Sequence, residues 1–268
     1  VDNIENAVNL TLLACLLGEF AWNFFRGLGK FNGKEVLCNL SIMVVNALLK
    51  PLTVAWAFLV FSLFAPLRLW ELPTNAATFL LTFVVADLAF YWFHRFSHEI
   101  PVLWTLHNTH HSSLWMNLST AVRLNWLGKF INPVFYAPLV VLGFSPTFLT
   151  ASLTLGLLLQ FFLHTEAIGK LGWFEGKLLN TPSAHRVHHG SNPQYIDKNY
   201  AAVLIVWDRL FGTYEPEVEP VRYGVTTGFM GYNPFVIQFQ PLMKYLQGNW
   251  QREKALNQAG QVPRAATR

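Results

Sequence analysis

The sequence predicts an all-α fold: a polytopic membrane helical bundle of about four to five membrane segments, joined to a cytoplasmic helical cap. Three observations predict it. The chain is 53% hydrophobic and 13% charged, where an ordinary soluble domain carries about 25% charged residues, and its mean hydropathy is +0.31. Its apolar residues gather into four long runs, 7–25, 36–65, 75–93 and 131–163, on the scale that bilayer crossing requires. Strand signals are weak throughout.

Taken in order, the first run suits one span. Lys50-Pro51 interrupts the second, which reads as one kinked span or two half-spans, because proline disfavours helix through its own position. The third run is a single span that ends at the first histidines. Gly143-Phe144-Ser145-Pro146 divides the fourth into a helical hairpin, whose short legs either cross with tilt and bilayer thinning or re-enter the face they left. From about residue 165 onward the chain reads as the cap. The expected organisation is a single membrane-embedded domain, with membrane segments over 1–74, a catalytic core over 75–216 and a cytoplasmic tail over 217–268 that is polar after Trp250.

Positive charge sets the orientation, since Lys and Arg concentrate in cytoplasmic loops. With the end of the third run inside, seventeen of the nineteen Lys and Arg residues are cytoplasmic, Arg68 alone is outside and Lys50 lies within a run. Inversion would put the seventeen outside and is rejected. Asp2 and Glu5, with no basic residue before the first run, fit an outside start, and for want of a basic leader no cleavable signal peptide is expected. The expected location is multi-pass in a bacterial inner membrane or the endoplasmic reticulum. A pI near 9.1 does not point to nucleic acid: the basic residues are scattered, and attraction to anionic headgroups accounts for them. Cys15 and Cys38 lack metal-site spacing and read as packing residues rather than disulfide partners. Trp70, Trp92, Trp104, Trp115 and Trp126 read as interface belt or core rather than as a binding slot.

All nine histidines fall between His94 and His189, eight of them in three boxes: His94-x3-His98, His107-x2-His110-His111 and His185-x2-His188-His189. Residues three or four apart project from one helix face, so each box can offer several nitrogens to a metal. Asp87 lies seven residues before His94, two turns back on the same face, where a carboxylate can accept the second N–H of a ligand imidazole and fix its tautomer. An acid in an apolar run costs about 2.5–3.5 kcal/mol at a central position, so a partner is expected, with local capping or pairing to Arg95 or another helix as the alternative to a ligand imidazole. Glu99-Ile100-Pro101 ends one helix and a second restarts before His107, so His107, His110 and His111 are expected on one face. Pro182 starts and Gly190 stops a short helix carrying His185, His188 and His189. His164 stands at the inner end of the hairpin, on the membrane face of the boxes, and is expected as a further ligand. Glu166 reads as a rare carboxylate ligand, an acceptor behind the ligands or a solvated residue, the second being favoured.

Nine neutral nitrogens can supply two ions with four or five ligands each and leave positions open for oxygen and water. Zinc closes on four ligands in structural sites and takes three plus water in hydrolases, so nine histidines are too many for one zinc. Iron suits imidazole and changes oxidation state, which dioxygen activation requires. Two iron ions, cycling between ferrous and ferric, are the expected cofactor.

These boxes, in this order and spacing, resemble the fatty acid hydroxylase and sterol desaturase superfamily of membrane di-iron oxygenases. The likeness covers about residues 75–216. Within it, Asp87 to Glu99, His107 to Ser113, Asn180 to Gly190, Ile196 to Tyr200 and Trp207 to Thr213 look most like the alkylglycerol monooxygenase-like branch, with a departure at Ala184, where that branch has a further histidine. The resemblance implies metal ligands at His94, His98, His107, His110, His111, His185, His188 and His189, with His164 matching the additional histidine before the third box. It implies a lipid monooxygenase. That branch hydroxylates the ether-bearing carbon of glyceryl ethers, and the hemiacetal falls apart to an aldehyde and a glycerol product; its animal members use tetrahydrobiopterin.

On this reading the protein places the metals, tunes them from behind and excludes water. Asp87, Glu166 and Asp208 are expected behind the ligands, and Asp197 or Asn199 to brace the third box, the residues from 197 onward serving equally well as cap hydrogen-bonders. No haem-attachment, iron–sulfur or dinucleotide-binding motif occurs, so electrons are expected from a separate donor: a pterin, a b-type cytochrome or a ferredoxin. The basic cap would suit an acidic partner. The lipid is expected to enter sideways from the bilayer, headgroup at the inner face and tail along the Phe-rich spans. Desaturation, or sterol or carotenoid oxidation, would use the same metal core. A histidine-rich metal transporter is the reading from another class, and against it transport sites lie near the bilayer midplane, whereas eight of these nine histidines cluster past span ends.

Overall fold

A computed structural model of the chain describes residues 2 to 249; the polar tail expected after Trp250 lies outside the described residues. Ten α-helices are present among them: α1 (Asp2–Phe25), α2 (Gly33–Leu48), α3 (Lys50–Phe64), α4 (Ala76–Glu99), α5 (Pro101–His111), α6 (Gly128–Val141), α7 (Pro146–Phe161), α8 (Pro182–His188), α9 (Val206–Leu210) and α10 (Pro234–Leu246). Extended pairing among the described residues is a single isolated bridge between Leu179 and Leu204. The sequence-expected breaks are where proline puts them. α3 and α5 carry proline in their first turn, where the missing N–H costs nothing.

Side chains close several helix starts. Asn32 accepts from the amides of Lys34 and Glu35 at the head of α2, Asn75 from Thr78 at the head of α4, and Thr181 from Ala184 at the head of α8. Each satisfies amides that have no partner within their helix.

Three helices, Ala7–Phe25, Lys50–Leu67 and Ala76–Glu99, are long and apolar enough to cross a membrane. Their outer surfaces carry Leu10, Leu17 and Phe24 on α1 and Leu52, Phe58 and Leu63 on α3, all exposed, a surface suited to hydrocarbon rather than water. The second apolar run divides into two helices at Leu49, and only its second half is such a helix. The first half, α2, buries Glu35, Asn39 and Asn46 against the 113–124 segment instead. The hairpin expected over 131–163 is α6 and α7, with α7 too short by itself to meet the same criterion.

α3 packs on α6 and α4 on α7, around a core of Val60, Phe61, Ala86, Tyr136, Ala137, Val140 and Leu149. Between helices in lipid the gain is close packing rather than escape from water, and the small residues Ala86 and Ala137 suit it. α10 lies on α5 and α2, joined by Cys38, Ile42, Trp126 and Ile237. Trp126 is therefore a core residue, whereas Trp70 is exposed.

The hairpin tip depends on one glycine. Gly143 has φ +92°, and a Cβ there would lie 2.3 Å from the carbonyl oxygen of Trp70, in the segment whose Leu69 amide bonds to the Val141 carbonyl at 2.9 Å. Gly143→Ala is expected to destabilise the protein by about 1–3 kcal/mol through strain at positive φ. Gly18→Ala, in α1 with nothing within 4 Å of the new methyl, is expected to be neutral or to stabilise by about 0.5–1 kcal/mol. Thermal unfolding of the detergent-solubilised pair checks this; a Gly143→Ala protein that melts with the wild type would contradict it.

Candidate metal centre

Four segments bring the nine histidines together. His94 and His98 occupy the last two turns of α4, His107, His110 and His111 the end of α5, His164 the turn after α7, and His185, His188 and His189 the length of α8 and its C-cap. They form two groups: His94, His98, His107, His111 and His188 in one, and His110, His164, His185 and His189 in the other, with one nitrogen from each residue within 4.8 Å of the others in its group. The groups adjoin where the rings of His111 and His189 stack at 4.4 Å.

The second box is not single-faced, as the sequence suggested. Its i and i+4 members, His107 and His111, serve the first group, and His110 turns to the second. The third box does the reverse, sending His185 and His189 to the second group and His188 to the first. Steps of four and of three residues depart from a full turn in opposite senses, so an H-x-x-H-H box held between two centres divides in this way.

Backbone carbonyls set the imidazole tautomers. Nδ1 of His94 faces the Tyr200 carbonyl at 2.7 Å, that of His164 the Gln160 carbonyl at 2.8 Å, that of His188 the Lys198 carbonyl at 2.9 Å, and that of His110 the Arg123 carbonyl at 3.3 Å. A carbonyl only accepts, so each of these Nδ1 atoms carries the hydrogen and each Nε2 a lone pair. His110 and His164 then confront each other Nε2 to Nε2 at 3.1 Å with no proton to share. Nε2 of His98, His188 and His189 is buried without any partner. Protonation does not relieve this, because burial pushes His107, His110, His111, His185, His188 and His189 well below the usual histidine range, with neighbouring rings adding to the effect. Facing lone pairs in a buried site fit metal cations.

The carboxylates stand elsewhere than expected. Asp87 accepts no histidine N–H: its oxygens take the amides of Val203 and Leu204 and the Trp207 indole N–H, each within 3.0 Å. Asp208 accepts from the amides of Tyr200 and Ala201 and from the Thr213 hydroxyl, and so orients the peptide whose carbonyl receives His94. Glu166 takes the Tyr223 hydroxyl at 3.1 Å and pairs with Lys30 at 3.3 Å. Asp197 faces Nδ1 of His98 at 3.5 Å, so it stands against the first box rather than the third. Asn199 is the residue that reaches the third: its amide donates to the carbonyl of Ala184 at 3.0 Å. Asp197 and Asn199 both have positive φ, 59° and 56°, a conformation these two residue types tolerate better than most. It places the carbonyls of Lys198 and Tyr200 toward different boxes.

Sequence reasoning missed Arg123, which is 2% exposed. Its guanidinium bonds to the Thr109 carbonyl, the Ser112 hydroxyl and Asn39 Oδ1, tying α2 to the end of α5, while its own carbonyl receives His110. A lone arginine between two apolar stretches was the available signal. Trp104, expected at the interface or in the core, packs on His98 and His111 at 4.9 and 5.4 Å between ring centroids.

Residues 79–213 match the fatty acid hydroxylase family model. The chain is 46% identical over 184 residues to the alkylglycerol monooxygenase of Homo sapiens, covering 68% of this chain and 41% of that protein. It is 47% identical over 174 residues to that of Xenopus tropicalis, covering 65% and 39%, and 30% identical over 155 residues to an ornithine lipid hydroxylase of Rhizobium tropici, covering 54% and 45%. The chain thus spans about two fifths of the length of the alkylglycerol monooxygenases it matches. No solved structure matches it.

The contacts separate Asp208 from Glu166 by experiment. Asp208→Asn is expected to weaken metal retention by about 10–100-fold, as loss of a group that orients a ligand does. Glu166→Gln is expected to leave it unchanged. Metal content after dialysis against graded chelator reads both, and equal retention in Asp208→Asn and wild type would refute the assignment.

Proposed function

Because the chain belongs to the fatty acid hydroxylase family, we propose that it is a membrane monooxygenase that hydroxylates a lipid C–H bond with dioxygen, and that glyceryl ethers are its substrates. The carrying observation is the pair of adjoining histidine groups, within which His110 and His164 face each other with no proton between them. On this reading His94, His98, His107, His111 and His188 hold one ion and His110, His164, His185 and His189 the other. Two iron ions bound there would supply the redox chemistry of dioxygen activation. The similarity to alkylglycerol monooxygenases over the segment that carries these histidines supports the glyceryl ether class.

The chain's own residues do the rest by position. Carbonyls of Tyr200, Lys198, Gln160 and Arg123 orient the rings, Asp208 and Asn199 hold the loop that presents two of them, and Asp87 anchors the same loop to α4. The rings of Trp104 and Tyr200 pack on His98 and keep water from the first group. No side chain is assigned as nucleophile or base. The remaining assignments belong to the same reading: about four to five membrane segments in all, N-terminal membrane segments over 1–74, a core over 75–216, a tail over 217–268, and the histidines on the cytoplasmic side of a bacterial inner membrane or the endoplasmic reticulum. Electrons come from a separate pterin, b-type cytochrome or ferredoxin.

The test is anaerobic reconstitution with ferrous iron, then exposure to isotopically labelled dioxygen with an electron donor and hexadecylglycerol. Hydroxylation of the ether-bearing carbon predicts labelled hexadecanal and unlabelled glycerol by mass spectrometry. His110→Ala is expected to insert in the membrane, bind less iron and give no product. Full activity from iron-deficient His110→Ala would defeat the mechanism, and an unlabelled alkene product would replace hydroxylation by desaturation.

A further inference from the structure

α4 and α7 run side by side in the same direction: Phe79 and Phe148, near their starts, meet edge to face at 5.4 Å between ring centroids, and a cleft opens between the helices further along. Its walls include Phe83, Phe90 and Leu153, with Ala86 between them. Two features show that protein does not fill it. Gly156 is buried in the middle of α7, where a membrane helix ordinarily uses glycine to bring a second backbone close. Here an added Cβ would meet nothing within 4 Å, so the missing side chain leaves space instead of a contact.

Ser152 lies one turn earlier on the same face, 2% exposed, and its hydroxyl has no hydrogen-bond partner. Serine and threonine in apolar helices bond back to the carbonyl of the preceding turn, as Ser97 does to Phe93 and Thr82 to Thr78 on α4. Ser152 makes no such bond and borders the cleft.

Residues at the inner end of the cleft touch both histidine groups. Phe90 packs on His94 at 5.3 Å, and Gln160, whose carbonyl receives His164, lines the opposite wall. Ser152, Gly156, Gln160 and His164 follow at intervals of four residues, so one face of α7 leads from the apolar interior to the second group, with roughly 12 Å of helix between Ser152 and Gln160. Asp87 borders the cleft, but its oxygens are engaged by three N–H donors of the 203–207 segment.

We propose that the seam between α4 and α7 is the slot for the hydrocarbon chain of the lipid, and that Gly156 sets how much chain it admits. The proposal rests on the lipid oxygenase reading above. Its occupant follows from its place: apolar walls between helices, one of them long enough to span, opening to a hydrocarbon medium and ending at the histidines. A chain lying there brings the carbon next to its headgroup to the junction of the two groups.

The test uses the iron-reconstituted full chain in phosphatidylcholine nanodiscs, with hexadecylglycerol carrying a diazirine in its chain as the probe. Photolabelling is expected on Phe83, Phe90 or Leu153. Gly156→Phe should lose labelling and show a KM for hexadecyl relative to octyl ethers raised by about tenfold or more, with Gly156→Ala intermediate. Leu157→Phe, on the exposed side of α7, should match the wild type, and iron content should be equal throughout. Unchanged labelling and chain-length ratio in an iron-replete Gly156→Phe protein would overturn the slot, as would product formation with labels confined to other helices. Labelling of the slot in a protein that oxidises no ether would support the slot and overturn the oxygenase reading.

Discussion

The structure depends on a frustrated contact: buried imidazoles whose lone pairs point at one another. Water would ordinarily satisfy such nitrogens, and a shared proton would satisfy a pair. A proton shared between His110 and His164 is not available, because each spends its N–H on a carbonyl and burial opposes a second proton. Like-signed lone pairs at 3.1 Å are held there by the rest of the cap, whose folding energy is thereby coupled to whatever cations the site takes up.

What holds them is backbone rather than acid. Carbonyls from three separate stretches fix four of the rings, and the buried carboxylates act one step further out, on the amides of the 200–204 loop. Carbonyls do not titrate and carry no net charge, so the tautomers of these four rings are fixed over a wide range of pH. The cost moves into the loop, where Asp197 and Asn199 adopt positive φ. Asn199 offsets part of that cost, since both its amide hydrogens and its oxygen are bonded, to Ala184 and to both backbone groups of Glu215.

Features set by local periodicity were legible in the sequence. The breaks at Leu49, at Ile100 and at Gly143, the short helix from Pro182 and the gathering of nine histidines all follow from proline, glycine and four-residue spacing. The partners of Asp87 were not: they lie more than a hundred residues on, and helix geometry predicts only what stands one or two turns away. The division of each H-x-x-H-H box was hidden for a related reason. Spacing says that three side chains are neighbours, but which centre each one faces is decided by the element opposite, and α5 and α8 face each other with their pairs exchanged. Arg123 was missed because a buried arginine and an exposed one look alike in sequence.

On the proposed function, the placement of the site answers conflicting demands of lipid oxidation. A hydrocarbon substrate favours depth in the bilayer, whereas electrons and protons arrive from water, and nitrogen ligands in hydrocarbon would be costly to leave unpaired. The last two turns of α4 and the turn after α7 meet all of these, since each belongs to an apolar helix yet ends among polar segments of the cap. His94 and His164 are thus both the ends of membrane-facing helices and members of different histidine groups. The helices that border the lipid are the same ones that aim the rings, so a shift of α4 against α7 would change access and metal geometry together. That coupling ties the packing around Ala86, Ala137 and Leu149 to the proposed chemistry at the end of the bundle.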